Sequence, residues 1–171
     1  GTAGHSTAYF DHMTVSASTA ADLPVAFGDP IDLGAATKTV KTSGAAMANG
    51  EVYFATNGTP STFYALDAAT GQVLYSSPVQ GVNTVYGVAF GSDGNVYLSG
   101  VENGMLYRYS PAAKTLESVG VNPSEKLVWD LAATSDGKIY GATYPNSKIF
   151  EYDIASNQFR DLGSVREDVM Y

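Results

Sequence analysis

Tyr86, Trp129, Asp130 and Tyr144 are the side chains of this sequence best suited to holding a polar ligand. Tyr86 and Trp129 stand 43 residues apart, and Ser43 stands a further 43 before Tyr86. Aromatic faces stack on sugar rings, and a carboxylate such as Asp130, directly beside Trp129, can orient hydroxyl groups. Tyr144 begins the run Tyr144-Pro145-Asn146-Ser147, which joins two strands as Glu102-Asn103-Gly104 does earlier. Each residue also has a plainer use. The two large rings could fill space between packed sheets, Asp130 could bond a neighbouring loop, and both connections could be surface turns.

The rest of the catalytic inventory is thin. The two histidines, His5 and His12, both lie in the N-terminal stretch, and Arg108, Arg160 and Arg166 are scattered. No His/Asp/Glu cluster has metal-ligand spacing, and neither a nucleophile elbow nor a phosphate loop occurs, so no metal and no cofactor is expected. Asn57-Gly58-Thr59 fits a glycosylation sequon, and turn chemistry explains it as well. With 17 acidic residues against 9 basic ones and a formal charge of −8, the chain would repel a phosphate backbone, so no nucleic-acid partner is expected. There is no cysteine, hence no disulfide framework and no thiolate metal site. No apolar run approaches the roughly 20 residues a membrane helix needs, so no membrane span is expected.

What must position these residues is an internal repeat. Tyr53, Tyr97 and Tyr140 recur at spacings of 44 and 43, and Tyr64, Tyr107 and Phe150 at 43 and 43. Gly44, Gly87 and Asp130 share a column, as do Ala46, Ala89 and Ala132. Each unit reads as four short strands: a small apolar one, one alternating around its Tyr, an aromatic one, and a polar last one. The turns Asn49-Gly50, Asp93-Gly94 and Asp136-Gly137 suit tight hairpins, because they accept positive φ. Four-stranded units of 40 to 50 residues predict an all-β, partial β-propeller of about three blades. In such a fold the first strands line a central channel, which brings Ser43, Tyr86 and Trp129 to its wall.

The expected organisation follows. Residues 1–17 hold a strand over Thr7–Val15, the last of a preceding β module, and 18–29 form a linker. The propeller occupies 30–171: a lone outer strand at 30–35, blades at about 40–80, 81–122 and 123–165, and the start of a further blade at 166–171. Ile31-Asp32-Leu33-Gly34 matches Arg160-Asp161-Leu162-Gly163, and Val169-Met170-Tyr171 falls where Val128-Trp129 falls. Two expectations stand side by side: a fragment whose remaining blades lie elsewhere in a larger product, or a chain that pairs with a second copy into a six-bladed ring.

Three resemblances add to this reading. Tyr64-Ala65-Leu66-Asp67-Ala68-Ala69-Thr70-Gly71-Gln72-Val73-Leu74-Tyr75 is similar to the repeat of quinoprotein-type propellers, some of which bind pyrroloquinoline quinone. The later units lack its Asp or its Thr-Gly, and turn chemistry at Asp67, Thr70 and Gly71 explains the motif without a cofactor. The stretch from Trp129 to Tyr152 resembles propellers of secreted bacterial proteins, some attached to polysaccharide-degrading modules, and the virginiamycin lyase-like group. Ala8-Tyr9-Phe10-Asp11 resembles the end of jelly-roll modules that bind carbohydrate. These likenesses imply an extracellular or cell-surface bacterial protein with a polysaccharide or oligosaccharide partner. The favoured function is a binding or scaffold propeller. The alternative is part of a propeller polysaccharide lyase, using His or Tyr for proton transfer with Arg or a metal to neutralise a uronate.

Overall fold

The structure, a computed structural model, describes Tyr9–Phe10, Met13–Thr14 and residues 41–165. The chain divides into two compact units, Gly1–Ala36 and Thr37–Tyr171. In the first, strand β1 (Tyr9–Phe10) pairs antiparallel with β2 (Met13–Thr14), Tyr9 opposite Thr14 and Phe10 opposite Met13. The single strand expected over Thr7–Val15 is thus two short strands, and the chain reverses between them. The expected linker, the outer strand at 30–35 and the start of a further blade at 166–171 lie outside the described residues.

The second unit is three antiparallel four-stranded sheets, each a simple meander. Blade 1 contains β3 (Lys41–Ala48), β4 (Glu51–Asn57), β5 (Thr62–Asp67) and β6 (Val73–Pro78). Blade 2 contains β7 (Val85–Phe90), β8 (Val96–Gly100), β9 (Met105–Ser110) and β10 (Thr115–Val121). Blade 3 contains β11 (Leu127–Ala133), β12 (Lys138–Tyr144), β13 (Lys148–Asp153) and β14 (Gln158–Ser164). The first strands β3, β7 and β11 lie side by side, so the blades meet along their inner edges. The repeat columns are structural equivalents: Ala46 faces Tyr53, Ala89 faces Tyr97, and Ala132 faces Tyr140 across the same strand pair of each blade.

The first hairpins are not all alike. Asn49 and Gly50 both have positive φ, 52° and 79°, the two-residue turn the sequence suggests. In blades 2 and 3 only the glycine has positive φ, and the loop is longer, closed by Gly91 N–H to Asn95 O and Thr134 N–H to Lys138 O. One extra residue before Asp-Gly in each of these blades accounts for the difference.

Two apolar joints hold the blades together. In the first, Tyr53, Ala55, Phe63 and Ala65 of blade 1 pack on Val88, Val96, Leu98, Tyr107 and Tyr109 of blade 2. Tyr109 is its centre, with ring centroids 4.8 Å from Phe63 and 4.7 Å from Tyr75. In the second, Ala89, Tyr97 and Leu106 of blade 2 pack on Val128, Leu131, Ile139, Phe150 and Tyr152 of blade 3. Burial raises the Tyr53 and Tyr97 phenols, and carboxylates add to it: Glu51 beside Tyr53, and Asp93 accepting the Tyr97 hydroxyl at 2.9 Å.

Close approach of the inner strands depends on glycine. A Cβ on Gly44 would lie 1.9 Å from the Tyr86 carbonyl oxygen, and one on Gly87 2.7 Å from Leu131 N. No side chain fits there unless the strands part. That explains why the column is Gly44 and Gly87 where another blade follows in the described structure, and why blade 3 can carry Asp130.

Candidate functional site

Each inner strand is bulged at the same point. One extra residue enters β3 between Thr42 and Ala45, β7 between Val85 and Val88, and β11 between Val128 and Asp130. A bulge re-aims side chains, and here it falls on the column Ser43, Tyr86 and Trp129. In blade 2 the distorted backbone is satisfied by a side chain: Gly87 N–H donates to Ser99 Oγ at 3.0 Å.

The result is an aromatic ladder across the inner strands. Tyr86 and Trp129 stack with centroids 5.2 Å apart and planes 12° from parallel. Tyr144 meets Trp129 edge-on, at 6.2 Å and 82°. Lys41 Nζ stands 5.5 Å above the Tyr86 ring, within range of a cation–π contact. Trp129 is 43% exposed, whereas the other aromatic side chains whose burial is described are buried or half-buried.

Loops fix the ladder from one side. Glu125, just before β11, accepts Thr143 Oγ1 at 3.0 Å and the Asn146 N–H at 3.2 Å, which ties down the β12–β13 turn that begins with Tyr144. Asn122 bonds Gly104 O and Glu125 O through its Nδ2, each at 2.8 Å. Tyr107 donates to Gln80 O at 2.6 Å, and Asn57 Oδ1 accepts Val85 N–H at 3.3 Å. The connections before β7 and β11 are therefore held to the blades beside them. The platform they carry is correspondingly rigid.

Between the inner strands lies a groove of about 350 Å³ lined by Lys41, Ser43, Gly44, Tyr86, Trp129 and Asp130. Asp130 is exposed, and its Oδ1 accepts the Leu131 N–H at 2.8 Å, leaving its other oxygen for a ligand. All four residues singled out in the sequence thus fall in one region, with the Trp129 ring in contact with both Tyr86 and Tyr144. Lys41 was missed, because it precedes the aligned columns and has no counterpart in the other two units. Ser43 shares the groove, and its hydroxyl has no hydrogen-bond partner among the described residues.

Elsewhere the polar groups serve structure. Asp67 accepts Ala69 N–H, Thr70 N–H and Thr70 Oγ1, which lowers its carboxyl below the usual range and accounts for the turn of the Asp-Ala-Ala-Thr-Gly motif. On blade 3, Lys138 pairs with Asp153 and holds that carboxyl down to about 2. Tyr140 donates to Glu151 at 2.8 Å and Arg160 pairs with the same carboxylate at 3.1 Å, together lowering it. Among the described residues no three His, Cys, Asp or Glu side chains form a metal-ligand set.

Solved structures resemble this arrangement. A streptogramin B lyase matches 73% of the chain at 14% identity with a TM-score of 0.62, and the virginiamycin B lyase of Staphylococcus aureus matches 73% at 13% with 0.61. The computationally designed Ika4 protein matches 75% at 17% identity with a TM-score of 0.59, over 76% of its own length. The fold is a β-propeller. The chain spans 41% of the streptogramin B lyase and 42% of the virginiamycin B lyase, less than half of each. No protein-family model and no curated protein sequence matches it.

Proposed function

We propose that this segment of propeller binds carbohydrate, presenting an aromatic platform on its channel wall to an oligosaccharide of a secreted bacterial polysaccharide system. The single observation that carries the reading is Trp129: a bulge turns it out of the core, Tyr86 backs one face, and Tyr144 braces its edge. A rigid, half-exposed ring beside a carboxylate suits a ligand with one apolar face and many hydroxyls. Asp130 would accept hydroxyl hydrogens, and the platform would supply contact area with little rotamer entropy to lose. A lyase reading has less support. Among the described residues, the tyrosine hydroxyl closest to a carboxylate, Tyr140 against Glu151, lies on a blade flank and not on the channel wall.

Isothermal titration with a panel of neutral and uronate-containing oligosaccharides tests the proposal. Wild-type chain is expected to bind one class in the micromolar to millimolar range. Trp129→Ala is expected to weaken binding at least tenfold and Asp130→Asn severalfold, with the far-UV circular dichroism of both unchanged. Binding that survives Trp129→Ala undiminished, or no binding across the panel, would overturn it.

A further inference from the structure

The dipeptide Asn-Gly occurs three times in the chain, at Asn49-Gly50, Asn57-Gly58 and Asn103-Gly104. It is the step at which a backbone amide most readily attacks the side chain before it, because glycine places no side chain in the way. Asn is accordingly among the thermolabile residues of proteins. Whether the attack occurs in a folded chain depends on two groups, the asparagine side-chain amide and the glycine N–H. A hydrogen bond to either one holds it away from the other.

Two of the three steps are locked at both groups. Asn57 Oδ1 accepts the Val85 N–H at 3.3 Å, and the Gly58 N–H donates to Asn83 O at 3.0 Å. Asn103 Oδ1 accepts the Met105 N–H at 2.9 Å, while its Nδ2 donates to Gly81 O and to the Tyr107 hydroxyl. The Gly104 N–H donates to Gly100 O at 3.1 Å.

Asn49-Gly50 differs at each point. It is the two-residue turn between β3 and β4, closed by the pairing of Ala48 with Glu51, and both residues are exposed. Among the described residues neither the Asn49 side chain nor the Gly50 N–H has a hydrogen-bond partner. The turn is anchored instead through Gly50 O, which accepts the Ala68 N–H at 2.8 Å. Nothing lies within 4 Å of a Cβ built on Gly50, so the amide has room around it. This exposure belongs to the turn and not to the end of the blade stack. The equivalent Ser92–Gly94 of blade 2, which has a blade on each side, is exposed as well.

We infer that Asn49 is a site of deamidation and isoaspartate formation. The Gly50 amide nitrogen gives up its proton and bonds to Asn49 Cγ, the Cγ–Nδ2 bond breaks, and Nδ2 departs with its protons as ammonia. Water then opens the cyclic succinimide. Addition at Cγ gives aspartate, whereas addition at the Asn49 main-chain carbonyl carbon gives isoaspartate, whose backbone runs through the former side chain. The net reaction consumes water and releases ammonia, with no oxidant, reductant or cofactor. Both products add a negative charge at the turn. The aspartate product matches what the other blades carry there, Asp93 and Asp136. The isoaspartate product lengthens a two-residue hairpin turn whose backbone is tightly specified. This inference does not rest on the carbohydrate reading.

Peptide mapping by mass spectrometry tests it, after incubating the full chain at mildly alkaline pH, folded and in concentrated urea, with isoaspartate separated from aspartate by chromatography. In the folded chain Asn49 is expected to convert at least tenfold faster than Asn57 or Asn103, which react only after local opening. In urea the three steps are expected to convert at similar rates. Gly50→Ala, which adds a Cβ beside the attacking nitrogen, should slow conversion at Asn49 in both conditions and leave the other two steps unchanged. Conversion of Asn57 or Asn103 as fast as Asn49 in the folded chain, an Asn49 that reacts only in urea, or a preference for Asn49 that persists in urea would each contradict the inference.

Discussion

Gly44→Ala is expected to lower the stability of the chain by about 3 kcal/mol or more, a large fraction of what a small domain possesses. Two causes add. The residue has φ of +66°, which an alanine adopts at a cost, and its new Cβ would stand 1.9 Å from the Tyr86 carbonyl oxygen. That neighbour is backbone of the next blade and cannot swing away, so the first joint must open along the channel. Gly50→Ala supplies the control, because Gly50 also has positive φ, 79°, yet nothing lies within 4 Å of its would-be Cβ. It should cost only about 1 kcal/mol. Urea unfolding of both variants separates the two terms, and equal losses would show that the inner strands do not approach as described.

Tyr97→Ala and Tyr140→Ala change the same repeat column and are expected to differ severalfold. Tyr97 is fully buried between blades, in contact with Tyr152 at 5.9 Å, and its hydroxyl reaches Asp93. Removing it leaves a large void at the second joint, for a loss of about 3–5 kcal/mol. Tyr140 is only half-buried on the outer flank of blade 3, where its ring has one blade behind it and its hydroxyl bonds Glu151. Its removal should cost roughly 1 kcal/mol. Chemical denaturation of the two variants measures the contrast. Equal costs would mean that the blade 3 flank around Tyr140 is as tightly packed as the joint around Tyr97.

The blades were legible in the sequence because each strand repeats the same local instructions. Alternation around Tyr53, Tyr97 and Tyr140, and a turn at each Asn-Gly or Asp-Gly, leave one architecture consistent with a 43-residue period. The site was legible only as a column: Ser43, Tyr86 and Trp129 aligned, and the bulges then turned that column out of the core. What periodicity could not convey lies between repeats. Lys41 joins the groove through a ring in the next blade, a contact no single repeat encodes. The Asp130 position had looked like a lost glycine, and its reason, the distance between neighbouring inner strands, is a property of the joint. The short pairing of Tyr9–Phe10 with Met13–Thr14 escaped for a different reason: an alternating run of residues has the same pattern whether or not its two halves pair with each other.

The most direct test of the central claim, that the channel-wall aromatics form a binding surface, uses Trp129 as its own reporter. It is the only tryptophan of the chain, so its emission reports on this platform alone. Titrating the oligosaccharide class selected by calorimetry should give a saturable change in emission, with the midpoint seen by heat. Tyr86→Ala should weaken both signals together. Heat of binding with an unchanged indole spectrum would place the ligand elsewhere on the molecule and contradict the account.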